Sequence, residues 1–312
     1  MSYAQRSLMP SFTRPESRVA IVRSASYDRG LATLLFDALR EFDLPVNGKK
    51  VLLKPNFVEP DPEGIINTHP GVVAAVRDAF LRRGAASVRV AEGPGHERDT
   101  ESIVETIRLR DYLDPLQDIF VDLNLDEVHA VDLRTRASRL KRLYFPRTVL
   151  EADYIVSLPK LKTHHWAGVT LSLKNMFGIV PGCCYGWPKN VLHWAGITGS
   201  ILDINSTVRP DFAIVDGIIG MEGNGPIQGT PKASGVLILG NDPVAVDATC
   251  ARVMGLAPER IDYLAKAGVL LGHIMPEKIR QLGESIASVR TPFAVLPAFQ
   301  KLIAEDGRQV PI

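Results

Sequence analysis

The chain reads as an α/β protein with a largely parallel, doubly wound sheet, helices on both faces and a β-rich insertion. Three observations predict this. Strand-like and helix-periodic segments alternate over residues 19–92. The strand segments are continuous apolar runs, as in sheets covered on both faces. The alternation loosens only between about 99 and 150, where short β-prone pieces gather.

In order, "RVAIVRS" is a short apolar strand, and "DRGLATLLFDALREF" places Leu31, Leu34, Leu35, Ala38, Leu39 and Phe42 at helical spacing. "KKVLLKPNFV" is a second strand. "HPGVVAAVRDAFLRRGA" is a second helix, with Pro70 near its start and Gly84 just past its end. "SVRVAEGPG" is a third strand running into a glycine turn. After a helix near 99–110, "DIFVDLN", "VHAVDL" and "LKRLYFP" form the insertion. "ADYIVSLPKLKTH" is another buried strand, followed by a helical segment at 168–177 and the loop "VPGCCYGWPKN". A helix near 194–205, strands at 211–217 and 235–240, and helices at 242–255 and 258–268 complete the pattern. The expected organisation is a flexible tail at 1–17, a single α/β domain at 18–290 with two lobes (18–150 and 151–290), and an irregular segment at 291–312.

The 312 residues carry a net charge of +1, which provides no global field for nucleic acid or a membrane surface. No apolar run reaches the roughly 18 residues of a membrane span, and the start lacks a signal peptide's apolar core. Three cysteines make no disulfide framework, so a cytoplasmic setting is expected. Cys183 and Cys184 read as loop packing, and no spacing supports an iron–sulfur cluster. "EGPGH" is not a dinucleotide fingerprint and "MEGNGPIQGTP" is not a P-loop, so a nucleotide signature is missing.

Chemistry-bearing residues fall at strand ends, where parallel α/β sheets bind ligands. "VLLK" ends on Lys54, with Asn56 beyond it; "VRVAE" ends on Glu92; "YIVSLPK" ends on Lys160, followed by Lys162 and His164; "FAIVD" ends on Asp216, with Glu222 following. Lysine is among the residues least often buried alone. Lys160 and Lys162 share one side of an extended chain, which makes sense around an anion or facing carboxylates. Solvated side chains that snorkel outward are the competing reading. His164 and His193, with Asp216 and Glu222, are the candidate ligands of a divalent metal (iron, manganese or magnesium), although no short zinc spacing is present. Asp242 before "PVAV" reads as an N-cap; Asp247, inside an apolar helical run, requires a buried partner.

The segments "VLLKPNFV", "THPGVVAAVRDAF", "VAEGPG", "LPKLKTH…TLSLKNMFG", "RPDFAIVDGIIGMEGNGP" and "DPVAVDATCARVMG" together resemble the domain-of-unknown-function-362 family, in order from about 19 to 268. The resemblance implies an α/β domain whose shared polar positions are Lys54, Asn56, Lys160, Lys162, His164, Lys174, Asn175, Asp216, Glu222, Asp242 and Asp247. Many members look fused to ferredoxin-like modules; this chain lacks that cysteine run.

The leading expectation is an enzyme of unassigned reaction on a small anionic substrate, carboxylate or phosphate, with a divalent metal and with non-haem iron redox chemistry among the possible reactions. Lys54, Asn56, Lys160 and Asn175 would bind substrate, and Lys162, Lys174, His164 and Glu222 would be catalytic. Lys174, held among apolar neighbours, suits a general base. A metal-free lyase or isomerase, with lysines polarising a carbonyl and Glu222 or His164 moving the proton, is the first alternative. A non-catalytic binder of an anion or metallocofactor is the second.

Overall fold

Continuous apolar runs become the central strands. The computed structural model describes residues 16–95 and 99–305. The expected tail therefore lies outside the described residues as far as residue 15, as does the stretch 306–312, while Ser17 already belongs to the first strand. β1 (Ser17–Arg23), β2 (Lys50–Pro55), β3 (Ser87–Glu92) and β4 (Phe120–Asp122) come from the first half of the chain. β5 (Val128–Asp132) and β6 (Arg142–Pro146) pair antiparallel as a separate two-stranded sheet, which is the β-rich insertion. β7 (Tyr154–Leu158), β8 (Lys160–His164), β9 (Gly168–Thr170), β10 (Phe212–Asn224), β11 (Gln228–Gly240) and β12 (Ile279–Gly283) follow.

The main sheet has the order β12-β1-β11-β10-β7-β2-β3-β4, with β8 paired to β10 and β9 to β8. β10, β7, β2, β3 and β4 run parallel, as do β1 with β12 and β8 with β10. β11 is antiparallel to both its neighbours, and β9 to β8. Side-chain alternation along the strands feeds two cores. Leu53, Val156, Ile214 and Leu239 pack under α1 (Leu31–Leu39), α2 (Pro70–Arg82) and α3 (Thr100–Thr106). Leu52, Ile155, Ala213 and Ile238 face α4 (Ile197–Thr207), α5 (Pro243–Val253) and α6 (Asp262–Leu270).

Helix ends follow local chemistry. Pro70 opens α2 behind His69, whose side chain accepts from Gly71 N–H. Asp242 caps α5 by accepting from Val244 and Ala245 N–H, as the N-cap reading expects.

Two expectations change. The segment expected as a helix at 168–177 is strand β9 followed by a short helical turn, Ser172–Asn175, and a 3-10 turn, Met176–Ile179. The strands expected at 211–217 and 235–240 are the inner ends of a 13-residue hairpin, β10 and β11. Its glycines read as a loop, but they permit close approach: a Cβ on Gly220 would stand 2.7 Å from the Leu161 carbonyl oxygen of β8. Because β11 is antiparallel, it delivers Asp242 to the opposite edge of the sheet from the ends of β2 and β3. The C-terminal segment, expected as an irregular cover or tail, lies over the fold as far as residue 305, with Phe293 and Leu302 buried in the core.

Candidate functional site

The carboxyl ends of β2, β3 and β8 converge on a cavity of about 190 Å³. Its wall carries Lys54 and Asn56 from the β2 end, Glu92 from β3, and Lys162, His164 and His165 from β8 and its exit. The helical turn after β9 adds Lys174 and Asn175, and the loop at 186–193 adds Lys189 and His193. Drug-sized pockets occupy roughly 300–1,000 Å³, so this one suits a smaller guest.

The innermost layer is neutral and fully bonded. Lys54 Nζ donates to Glu92 Oε2 at 2.7 Å, to Asn175 Oδ1 at 3.0 Å and to the Pro55 carbonyl at 2.8 Å. Glu92 also accepts from Phe57 and Gly93 N–H, and Asn175 Nδ2 donates to the Lys54 carbonyl and to Ser157 Oγ. Gly178 lies over this pair so closely that a Cβ there would collide with Glu92 Oε1 and Lys54 Nζ. Asp247 holds the turn that carries Lys174 and Asn175, accepting from Ser172 N–H at 2.7 Å and Leu173 N–H at 3.1 Å. These are the buried partners its position required; burial pushes its carboxyl up to about 7.

The next layer has excess positive charge. Lys162 is fully buried and donates to the carbonyls of Ile66 at 2.9 Å and Pro226 at 3.3 Å. Lys189, 4% exposed, donates to the Gly93 carbonyl at 2.6 Å. Lys174 Nζ lies 3.9 Å from the Phe177 ring centroid. Among the described residues none of the three has an ion-pair partner; Glu92 is taken by Lys54. Burial, reinforced for Lys162 by Lys160 and Lys174, brings Lys162 down to about 7. Burial does the same for Lys174, with Lys54 adding repulsion, and burial brings Lys189 to about 7 although Glu92 opposes it.

The two adjacent histidines are set in opposite tautomers. Trp166 and Ala167 N–H donate to His164 Nδ1 at 3.0 and 3.2 Å, so the neutral ring carries its proton on Nε2. Burial and the neighbouring cations hold this ring well below the ordinary histidine range. His165 Nδ1 lies 2.9 Å from the Gly225 carbonyl, which only accepts, so its lone pair is on Nε2. The His165 ring contacts Trp166 edge-on, and Trp166 in turn contacts His193.

The structure thus brings Lys54, Asn56, Lys162, His164, Lys174, Asn175 and His193 to one cavity. It does not bring Lys160, Asp216 or Glu222 there. Lys160 and Asp216 form a buried ion pair at 3.0 Å, and Tyr27 OH donates to the same carboxylate at 2.9 Å. Glu222 is carried away along the hairpin, where it accepts from Ala294 N–H and pairs with Lys232 at 3.2 Å. The expected ligand set His164, His193, Asp216 and Glu222 therefore does not assemble, and among the described residues no three His, Cys, Asp or Glu side chains gather as a metal site. His164 is unsuited as a ligand or base for a further reason: its Nδ1 lone pair is occupied and its Nε2 bears the proton.

Sequence reasoning passed over Lys189, and of the adjacent pair His164 and His165 it allowed at most one a place beside Lys162 and chose His164. Lys189 sits in a Gly- and Pro-rich loop that looks solvated, and only closure of that loop over Gly93 buries it. His165 had a signal, its place beside His164, but strand alternation sends the second histidine away. The chain leaves β8 at His164, so alternation no longer applies. Cys183 and Cys184 are exposed, with their sulfurs 3.9 Å apart.

Comparison with known proteins places these residues in context. A thylakoid-associated protein of Synechocystis is 31% identical over 265 residues, covering 79% of this chain and 77% of that one. Among solved structures, a Thermotoga maritima protein matches with a TM-score of 0.45 at 15% identity, covering 73% of this chain and 59% of that one. The lactate racemase apoprotein of Thermoanaerobacterium thermosaccharolyticum matches with a TM-score of 0.42 at 15% identity, over 65% of this chain. The present chain spans only 50% of that second protein's length. No helix among the described residues is long and apolar enough to cross a membrane. The family described as "Domain of unknown function (DUF362)" matches residues 51–252, from β2 to the last turn of α5. That span takes in every cavity residue from Lys54 to Pro226, and the chain belongs to the DUF362 family.

Proposed function

We propose that the protein is an enzyme that binds a small organic polyanion, a carboxylate or phosphate, in this cavity and moves a proton on it without a bare metal ion. The observation that carries the reading is the charge count among the described residues: Lys162, Lys174 and Lys189 face a cavity where the one carboxylate among those residues, Glu92, is already neutralised by Lys54. Like charges confined in low dielectric repel strongly, and an anion of two or more charges relieves them. A hard divalent cation would meet ammonium groups where it needs carboxylate oxygens.

Within that frame Lys162, Lys174 and Lys189 hold the anionic groups. His164 offers its Nε2–H to an oxygen on which charge builds, and His165 Nε2 receives the proton. Its Nδ1–H bond to the Gly225 carbonyl fixes the tautomer that leaves Nε2 able to accept. This is lyase or isomerase chemistry, with His165 in the role expected of Glu222 or His164.

The test is solvent exchange. Candidate di- and tricarboxylates and sugar phosphates are incubated with enzyme in D2O, and loss of C–H signal is followed by NMR. His165→Asn should abolish exchange while anion affinity, measured by calorimetry, stays within about threefold; Lys162→Ala should lose affinity. Exchange undiminished in His165→Asn would overturn the proton-transfer assignment. A stoichiometric transition metal in protein purified without chelator would overturn the metal-free form.

A further inference from the structure

We infer that the anion taken by the cavity carries a hydroxyl group, and that Asn56 and Thr170 are the residues that select it. The inference rests on the anion-binding reading above and names the substrate class within it.

The observation is a mismatch of donors and acceptors. Asn56 is 8% exposed and Thr170 4%, and both line the cavity. Neither Asn56 Oδ1 nor Thr170 Oγ1 has a hydrogen-bond partner. Buried polar atoms are nearly always satisfied, and leaving one bare is costly. The Asn56 side chain is not bare because its backbone is loose. Its N–H donates to Thr68 Oγ1 at 2.9 Å, its carbonyl accepts from Thr68 N–H at 3.0 Å, and Thr68 Oγ1 is anchored to the Leu158 carbonyl at 2.6 Å. The neighbouring amide, Asn175, has all its bonds filled within the protein. The Asn56 backbone is thus held in place, and its unpartnered Oδ1 belongs to a side chain that lines a chamber otherwise rich in donors.

Carboxylate and phosphate oxygens only accept hydrogen bonds, so a bare polyanion would satisfy the lysines and set like against like at Asn56 Oδ1. The missing partner is a donor. A cationic donor is excluded by the surrounding ammonium groups, which leaves a neutral one. A hydroxyl meets the need, since it donates to Asn56 Oδ1 and can accept from Thr170 Oγ1–H. The ligand class is therefore a hydroxylated polyanion, such as a hydroxydicarboxylate or a polyol phosphate.

Two matched pairs test this by calorimetry: malate against succinate, and glycerol 3-phosphate against propyl phosphate. Each is titrated into wild type, Asn56→Leu and Thr170→Val, with circular dichroism and melting curves confirming that the variants fold. The wild type should favour the hydroxylated member of at least one pair by about tenfold, the size of one well-formed hydrogen bond. Asn56→Leu should bring that member down to its deoxy partner and leave the partner within about twofold. Equal wild-type affinity within both pairs would overturn the hydroxyl inference while the anion reading stands. Equal weakening of both members by Asn56→Leu would make Asn56 a structural residue and overturn it as well. If none of the four ligands binds, the anion reading fails and takes this inference with it. Should Asn56→Leu not fold, Thr170→Val carries the same comparison, and an unchanged preference there overturns the inference.

Discussion

Raising the pH should release the ligand, and the magnitude follows from the lysines. Lys162, Lys174 and Lys189 each sit at about 7 in the cavity wall, against an ordinary value of 10.5. A bound polyanion restores the ammonium form, so binding takes up protons. At pH 8.5 a lysine titrating near 7 is only about 3% protonated, and each lysine whose charge the ligand needs weakens binding about thirtyfold relative to low pH. Above pH 7 the affinity should fall about tenfold per pH unit for one such lysine, and more steeply for two. Isothermal titration of malate at pH 6.5, 7.5 and 8.5, in buffers of different ionisation enthalpy, measures both the affinity and the protons taken up. The empty protein should show the linked stability effect. A lysine depressed in the folded state is neutral there while the unfolded chain is still charged, so stability falls as pH drops from 10.5 toward 7 and then levels. For Lys162 this is on the order of 3–5 kcal/mol at about 1.4 kcal/mol per unit. Two such groups would approach the 5–15 kcal/mol of a typical fold, which is why an empty cavity does not keep them all charged. Binding that is flat from pH 7 to 9, with no proton uptake, would refute the reasoning.

Two further predictions concern the scaffold. Asp216→Asn leaves the buried Lys160 ammonium without its carboxylate and should cost about 3–5 kcal/mol in urea denaturation; a loss below about 1 kcal/mol would mean that water reaches the pair. Gly178→Ala forces a methyl group into the Lys54–Glu92 pair and should lower anion affinity at least tenfold by calorimetry, because the shift passes to the Lys174 turn; unchanged affinity would show that the pair is not coupled to the cavity.

Much of the frame is legible in the sequence. The continuous runs in "KKVLLKPNFV" and "SVRVAEGPG" fix buried parallel strands, and the lysine or glutamate that ends each one marks the edge at which the cavity lies. Pro70 and Asp242 declare helix starts because capping is a local matter. The hairpin at 212–240 was hidden because its glycines follow turn statistics, whereas its actual constraint is the close approach of β8.

The sequence by itself determined which charges the protein owns and that Lys54, Lys160 and Lys162 lie within apolar segments; whether they turn inward or snorkel to water it left open. Only the tertiary structure decided their partners. Lys160 and Lys162 are two residues apart and chemically alike, yet one is cancelled by Asp216 and the other faces the cavity. The difference lies in a shift of register between β8 and β10. Coulomb and hydrogen-bond energies depend on separations of about 3 Å, and those separations are set by packing between segments distant in the chain, which no local pattern of residues encodes.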